Sequence, residues 1–244
     1  MLKLLKMAIT REIDAFDSAE NFTIWKTVKS YTMTSAQRVN CLLEAVDYIV
    51  RNDISGDFVE CGVWRGGSVM AIALKLQELG VIDRTIHLYD TFSGMTDPTN
   101  FDETISTREL ASKFLNQANS NLVKQRFSRD VRAIALRKEV EDNLRMIEYP
   151  FEKFHFIEGP VETTLSSGFS KPICLLRLDT DFYESTKIEL EVLFPRLVTA
   201  GILIIDDYGY WLGARKAVDE YFQKNDTKIF LHKVDPTGRF AVKC

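Results

Sequence analysis

Hydrophobic positions in the first third of the chain change from a helical period to short continuous runs. Apolar residues recur at helical spacing over residues 35–50, and a continuous apolar run follows at 58–61. A glycine turn ends that run, and a second helical pattern beyond it stops at Gly80. The next apolar run ends at Asp90. This order predicts a strand, helix and strand over residues 57–90, and a right-handed crossover makes the two strands parallel neighbours.

Five further apolar runs predict five more strands, at residues 153–157, 173–178, 201–205, 228–232 and 240–243. The last two flank Asp235-Pro236-Thr237-Gly238, a turn sequence that favours an antiparallel hairpin at one edge of the sheet. The stretch 92–150 is charged and amide-rich, and we expect a mainly helical insertion there because structureless loops of that length are rare. The predicted fold class is α/β, with a doubly wound, mostly parallel seven-stranded sheet.

Chain length suits one large α/β domain with a full core, since there are 244 residues. We predict an N-terminal helical segment at residues 1–56 and the main domain at 57–244, with the insertion at about 92–150. The first nine residues, MLKLLKMAI, predict an amphipathic helix that packs on the domain. Its apolar face is a candidate interface for a homo-oligomer.

Composition excludes several classes of partner. The net charge of −4 leaves no basic field for nucleic acid, and no apolar run approaches the ~20 residues that span a bilayer. The cysteines form no CxxC pair, so we expect free thiols in a cytoplasmic protein: Cys41, Cys61, Cys174 and Cys244. The three histidines lie in or beside predicted strands and receive no functional role.

The glycine turn after the first strand, in FVECGVWRGGS, favours binding of a cofactor. Its glycines permit close backbone approach, and Ser68 opens a helix whose amides receive a carboxylate. Asp90 ends the next strand, where a carboxylate can accept hydrogen bonds from both ribose hydroxyls. Glu60 disfavours a pyrophosphate and suits the cationic groups of S-adenosylmethionine. The adenine is expected beside Glu158 and Gly159. A structural glycine turn, with Asp90 capping a loop, is the alternative.

Four carboxylates follow two later strands. Asp179 and Asp181 end ICLLRLDTD, where an extended chain would place them on one face, and Asp206 and Asp207 end GILIIDDYG. If the strands are neighbours, the carboxylates converge and need a compensating cation, for which oxygen ligands favour magnesium or calcium. The alternative is structural: Asp181 and Glu184 would form a helix cap, and Asp206 and Asp207 would be turn formers.

This acid cluster suits methyl transfer to a hydroxyl group. A cation lowers the pKa of the hydroxyl and holds it, and a nearby carboxylate accepts the proton. The aromatic residues that follow, Tyr208, Tyr210 and Trp211, either pack against a sugar ring or begin the core of the next helix.

Several motifs occurring together carry a family resemblance. YTMTS at residues 31–35, FVECGVWRGGS, LYDTFSGM, LRLDTDFYEST and IIDDYG resemble the macrolide and aminocoumarin sugar O-methyltransferases related to macrocin O-methyltransferase. The resemblance implies a class I methyltransferase fold, S-adenosylmethionine and Mg²⁺ as cofactors, and a lid formed by the insertion. It also implies a small-molecule acceptor that carries a sugar or is a saccharide.

The resemblance assigns residue roles. Asp181 is the expected general base, and Asp179, Asp206 and Asp207 are the expected magnesium ligands. Val63 and Phe92 are added to the cofactor contacts as neighbours in the same motifs, and Glu158 and Gly159 come from the adenine argument. The expected cofactor contacts are then Thr32, Met33, Glu60, Gly62, Val63, Trp64, Ser68, Asp90, Thr91, Phe92, Glu158 and Gly159.

Three alternatives remain at this point: a catechol-like metal-dependent O-methyltransferase, a non-catalytic nucleoside-binding module, and a nicotinamide dehydrogenase, which the glycine spacing and Glu60 disfavour. The insertion carries no matching motif, so antibiotic tailoring and surface-polysaccharide or glycolipid modification both remain open. Arg65, Arg177 and Tyr183 are further candidates for substrate contact.

Overall fold

A single seven-stranded sheet forms the centre of the molecule. The computed structural model describes residues 12–118 and 132–244. In chain order the strands are β1 (Asp57–Cys61), β2 (Ile86–Asp90), β3 (Phe154–Glu158), β4 (Ile173–Leu178), β5 (Leu197–Ile205), β6 (His232–Lys233) and β7 (Arg239–Val242). Their order across the sheet is β3-β2-β1-β4-β5-β7-β6. Strands β1 to β5 are parallel, and β7 is antiparallel to β5 and β6, which confirms the predicted fold class.

Helices cover both faces of the sheet. They are α1 (Ala19–Val28), α2 (Ala36–Arg51), α3 (Gly67–Glu78), α4 (Ala111–Ala118), α5 (Arg137–Leu144), α6 (Val161–Thr164), α7 (Tyr183–Val192) and α8 (Leu212–Lys224). Helices α1, α2 and α3 pack on the face that carries Phe58, whereas α6, α7 and α8 pack on the face that carries Val59. Successive strand residues point to opposite faces, so each strand contributes to both cores.

Helix α2 begins at Ala36, near the carboxyl edge of the sheet, and Ser35 caps it. The Ser35 backbone is extended, and its hydroxyl accepts a hydrogen bond from the amide of Arg38 at 3.2 Å. This cap fixes the first turn of α2, and Arg38 therefore lies near the ends of β4 and β5, where it meets Asp206.

Two strand predictions need correction. Residues 228–232 do not form a strand, because only His232 and Lys233 pair with β7, while Ile229 and Leu231 pack against the α7–α8 side of the core. Strand β5 begins at Leu197 instead of residue 201. It continues through Ala200, whose φ of 64° introduces an irregularity and whose amide donates to the Lys243 carbonyl.

The insertion contains less helix than expected in its described parts. Only α4 and α5 are α-helical there, and residues 99–110 form turns closed by a bridge between Glu103 and Leu110. Residues 119–131 of the expected lid, and the predicted amphipathic helix at the N-terminus up to residue 11, lie outside the described residues. None of the described helices combines the length and the apolar character needed to cross a bilayer.

Candidate active site

A cavity of about 520 Å³ opens at the carboxyl edge of β1, β2, β4 and β5. Its position between β1 and β4 is the point where the strand order reverses, which is where open parallel sheets bind ligands. The glycine turn, the acid cluster and the insertion all contribute to its walls, which include Met33, Arg38, Gly62, Trp64, Asp90, Met95, Thr96, Ala133, Asp179, Asp181, Asp206, Asp207 and Tyr210.

Gly62 lets the ends of β1 and β4 approach each other. Its φ is 81°, and a Cβ at this position would overlap the carbonyl oxygen of Asp179. Gly66, with φ 85°, is the N-cap of α3 and provides no side-chain cap, and the Gly67 amide donates to the Tyr31 carbonyl at 3.0 Å. The glycine turn is therefore required by a close backbone contact, as well as being a candidate cofactor cradle.

Asp90 is fixed by backbone amides. Its Oδ2 accepts hydrogen bonds from Val63 at 2.7 Å and Trp64 at 3.1 Å, and its Oδ1 accepts one from Phe92 at 2.7 Å. Burial raises the pKa of Asp90, and these amide hydrogen bonds oppose the rise. The carboxylate thus ties the glycine turn to the end of β2 while still lining the cavity.

Arg177, on the buried strand β4, links the glycine turn to the acid cluster. The residue is 1% exposed. Its Nη1 contacts Glu60 at 2.6 Å and Asp179 at 2.8 Å, and its Nη2 contacts Asp206 at 2.7 Å and Thr34 at 2.7 Å. Burial raises the pKa of Glu60 to about 7, and the Arg177 charge opposes that rise. One guanidinium group therefore neutralises acids from three neighbouring strands.

The carboxylates of Asp179, Asp206 and Asp207 converge as predicted, with one oxygen of each within 4.8 Å of the others. Arg38 pairs with Asp206 and, at 3.0 Å, with Asp235. Asp207 has no such partner for its Oδ2, which is buried without a hydrogen bond in the part of the chain that the structure describes. Burial raises the pKa of Asp207 well above its usual range, and the charges of Asp181 and Asp179 add to the effect.

This donor set fits a hard divalent cation. All three groups offer oxygen ligands, which Mg²⁺ prefers, and the orphaned oxygen of Asp207 needs a positive partner. The cradle has matching orphans, because Glu60 Oε2 and Trp64 Nε1 are likewise buried without a partner among the described residues. An acceptor oxygen and a donor N–H in the glycine-turn motif fit a polar, partly cationic cofactor.

Asp181 lies beside the acid cluster in a strained conformation. Its φ is 69°, so the expectation of an extended chain from Asp179 to Asp181 is wrong, because β4 ends at Leu178 and the chain turns. The carboxylate accepts a hydrogen bond from the Trp211 indole at 2.8 Å. Burial, reinforced by Asp179, raises the pKa of Asp181 to about 7. A carboxylate of that pKa suits proton abstraction near neutral pH.

The capping alternative for Asp181 is also wrong. Helix α7 has Phe182 at its N-cap, with no hydrogen bond from the cap side chain, and the amide of Tyr183 is instead bound by Asp102 of the insertion. The aromatic residues divide between the two expected roles. Tyr210, which is 43% exposed, and Trp211, which is buried just before α8, both line the cavity, whereas Tyr208 bonds to Asp219 away from it.

Half of the expected cofactor contacts line the cavity, together with all four expected catalytic and metal residues. These contacts are Met33, Gly62, Trp64, Asp90, Thr91 and Gly159. The others lie behind the wall or at its rim: Thr32, Glu60, Val63, Ser68, Phe92 and Glu158. Arg65 pairs with Glu139, and Tyr183 bonds to Glu220, so neither lines the cavity.

Sequence reasoning missed Arg38, Thr34 and Asp102. Arg38 sits in the first turn of a helix predicted only from its apolar face, and nothing in the spacing indicated that it reaches Asp206. Asp102 lies in an insertion without a recognisable motif, and its partner, the amide of Tyr183, is about eighty residues away in the chain. Arg177 was named as a candidate for substrate contact, but it is 1% exposed and does not line the cavity.

Comparisons with known proteins identify the family of the chain. A family model described as Macrocin-O-methyltransferase (TylF) matches residues 7–243. The chain is similar to demethyldecarbamoylnovobiocin O-methyltransferase from Streptomyces niveus, with 32% identity over 209 residues that cover 86% of this chain and 74% of that protein. It is also similar to mycinamicin III 3''-O-methyltransferase from Micromonospora griseorubida, with 28% identity, covering 86% of this chain and 77% of that one. The solved structure of the O-methyltransferase NovP has a TM-score of 0.71 at 30% identity, covering 87% of this chain and 82% of that chain.

Proposed function

Since the chain belongs to the macrocin-O-methyltransferase (TylF) family and is an S-adenosylmethionine-dependent O-methyltransferase, we propose that it methylates a sugar hydroxyl. The acceptor is a glycosylated natural product or a saccharide. The names of the relatives support this class, because one is a demethyldecarbamoylnovobiocin O-methyltransferase, and another, from Streptomyces olivaceus, is the 4'-O-methyltransferase of a tetracenomycin that carries a rhamnosyl group. Free cysteines also fit a reducing compartment such as the cytoplasm.

The observation that carries the proposal is that Asp181 and the acid cluster of Asp179, Asp206 and Asp207 share one cavity with the glycine turn. S-adenosylmethionine supplies an electrophilic methyl group, which passes to the acceptor oxygen while the sulfur leaves as a neutral thioether. Asp181 accepts the proton of the attacking hydroxyl, and Trp211 orients that carboxylate. Asp90 and Gly62 line the side of the cavity where the methyl donor binds. Arg177 contacts Glu60 on that side and Asp179 on the acceptor side, and so fixes the two sides relative to each other.

Mg²⁺ belongs to the same proposal. Asp179, Asp206 and Asp207 would hold the ion, which lowers the pKa of a coordinated hydroxyl when bound. Arg38 and Arg177 pair with Asp206, and Arg177 also pairs with Asp179, so Asp207 and Asp181 are the acids of this group without an arginine in salt-bridge contact among the described residues. The two arginines thus hold the cluster together, and a bound cation would favour the charged form of Asp207.

Mass spectrometry of an acceptor panel tests the proposal. The purified chain is incubated with S-adenosylmethionine, MgCl₂ and, separately, demethyldecarbamoylnovobiocin, mycinamicin III or a simple catechol. We expect methylation of a sugar-bearing compound, loss of that product with a chelator, and a fall of ~100-fold or more in Asp181→Asn with cofactor binding retained. The exposed Asp83→Asn is the matched control. Methylation of the catechol alone would replace the sugar proposal with the catechol-like alternative.

A further inference from the structure

A segment of the insertion that we call the strap, residues 99–110, carries a buried carboxylate that no step above uses. Asp102 is 0% exposed. Its Oδ2 accepts hydrogen bonds from the Thr99 amide at 2.6 Å and the Thr99 hydroxyl at 2.8 Å, and its Oδ1 accepts one from the Tyr183 amide at 2.8 Å. Both oxygens therefore have specific donors, which fix the carboxylate in one orientation.

The Tyr183 amide is a functionally placed partner. It is the first amide of α7, where intrahelical acceptors are missing, and Phe182 at the N-cap cannot supply one from its side chain. Asp102 therefore acts as the cap of α7 across the fold. Because Tyr183 lies two residues after Asp181, this hydrogen bond anchors the C-terminal side of the turn that presents the Asp181 carboxylate.

The strap also holds the other side of Asp181. The Ile105 amide donates to the Tyr210 carbonyl at 2.9 Å, and the Leu212 amide donates to the Glu103 carbonyl at 2.8 Å. Between these two bonds lies Trp211, whose indole N–H donates to Asp181 Oδ1 at 2.8 Å. The strap thus contacts the backbone on both sides of the residue that orients the carboxylate.

Close packing leaves Asp102 little freedom. A Cβ on Gly213, in the first turn of α8, would overlap Asp102 Oδ1. The ring of the neighbouring Phe101 packs on the ring of Tyr183 with centroids 4.8 Å apart, and Lys216 lies over both rings. The strap is therefore seated on α7 and α8 by contacts on either side of Asp102.

We propose that Asp102 is a positioning residue for methyl transfer, which holds the Asp181 carboxylate in place through the Tyr183 amide and the strap contacts with Trp211. This role rests on the proposed function of Asp181 as the base. Asp102 touches neither the acceptor nor the cofactor, and it acts through α7 and Trp211. The strap thereby makes the geometry of the base depend on correct seating of the insertion.

Two variants with different chemistry test the role. In Asp102→Asn one side-chain oxygen becomes an NH₂ group, so either the Thr99 donors or the Tyr183 amide must face another donor. Gly213→Ala keeps the carboxylate and improves the helix propensity at that site, but its methyl group displaces Asp102. Asp97→Asn, the same change from carboxylate to carboxamide at an exposed residue of the insertion, is the matched control.

The decisive readouts are steady-state kinetics and the ¹H–¹⁵N signal of the Trp211 indole, assigned from its disappearance in Trp211→Phe. We expect Asp102→Asn and Gly213→Ala to lower kcat by roughly 10- to 100-fold, since misplacement of about 1 Å costs on that order, with the Kd for S-adenosylmethionine within about twofold. Their indole signal shifts, whereas Asp97→Asn matches the wild type in both readouts.

The two proposals fail in different ways. If the indole signal and kcat stay unchanged in both folded variants of an active enzyme, the positioning role is wrong. A parallel loss of cofactor affinity and kcat, without a shift of the indole signal, would also overturn it in favour of a general folding defect. If the wild type methylates no hydroxyl acceptor while its indole signal still depends on Asp102, the function of the site is wrong and the strap contact to Trp211 stands.

Discussion

Arg177 shows how much a single buried charge can organise. Its guanidinium contacts Glu60, Asp179 and Asp206, each from a different strand, at distances of 2.6 to 2.8 Å. A buried cation of this kind gains little net stability over an apolar residue when all partners are present, but removing it leaves Glu60 buried without its cation and Asp206 with Arg38 alone. At this residue the requirements of folding and of the site coincide.

This argument predicts a large effect for Arg177→Met. In this variant the buried carboxylates of Glu60 and Asp206 lose the Arg177 guanidinium as a partner. The free energy of unfolding should therefore fall by about 3–5 kcal/mol, measured by urea denaturation. Arg196→Met on the exposed surface is the control and should change it by less than about 0.5 kcal/mol. Similar values for the two variants would mean that Arg177 does not stabilise the acid cluster.

The sequence predicted which residues line the site where a motif contained them, but it did not predict their backbone conformations. Asp179, Asp181, Asp206 and Asp207 all reach the cavity as expected. The sequence does not reveal that Asp181 adopts a φ of 69°, because its surroundings include the indole of Trp211 and, through the Tyr183 amide, the distant Asp102. Long-range partners of this kind leave no local pattern.

At the scale of elements, the glycine turn joins β1 to α3 and also lets β1 approach β4. Both requirements fall on Gly62, whose φ is 81° and whose Cα faces the Asp179 carbonyl. Gly80, just after α3, has a similar φ of 74°, yet nothing lies within 4 Å of a Cβ built there. The pair separates the cost of a left-handed backbone from the cost of steric overlap.

We therefore predict different results for Gly62→Ala and Gly80→Ala. Both variants lose roughly 1–2 kcal/mol from the left-handed backbone, and only Gly62→Ala adds ~1–3 kcal/mol of overpacking against Asp179. Thermal or urea unfolding measures the difference, and calorimetry with S-adenosylhomocysteine should show weaker binding in Gly62→Ala alone. Equal stability and equal affinity in the two variants would contradict the close approach of β1 and β4.

Elements with strong local signals were predicted well, and weakly patterned ones were not. The unit from β1 to β2 follows from continuous apolar runs, a helical period and glycine ends. The strand predicted at residues 228–232 was wrong because an apolar stretch can pack against the core without pairing with another strand, as Ile229 and Leu231 do. The prediction for the insertion was partly wrong because its residues 99–110 are held by contacts with Tyr183 and Trp211, and not by a helical pattern of apolar residues.

At the scale of the whole molecule, the parallel order of β1 to β5 brings distant motifs to one edge. The reversal of strand order between β1 and β4 opens the crevice, the glycine turn lies on one side of it, and the acid cluster lies on the other. The sequence predicted this edge because the motifs all follow strands. It did not predict how the edge is held together, since Arg38, Arg177 and the strap act across the fold.

We propose above that Asp179, Asp206 and Asp207 hold a divalent cation beside Asp181. Mn²⁺, a paramagnetic substitute with the same preference for oxygen ligands, tests this site directly by electron paramagnetic resonance in the presence of S-adenosylhomocysteine. We expect the wild type to bind one Mn²⁺ per chain and Mg²⁺ to displace it. Asp207→Asn should bind at least about 10-fold more weakly, and the exposed Asp226→Asn should bind like the wild type. An undiminished signal of free Mn²⁺ with the wild type, or equal binding by Asp207→Asn, would mean that these three carboxylates do not hold the cation.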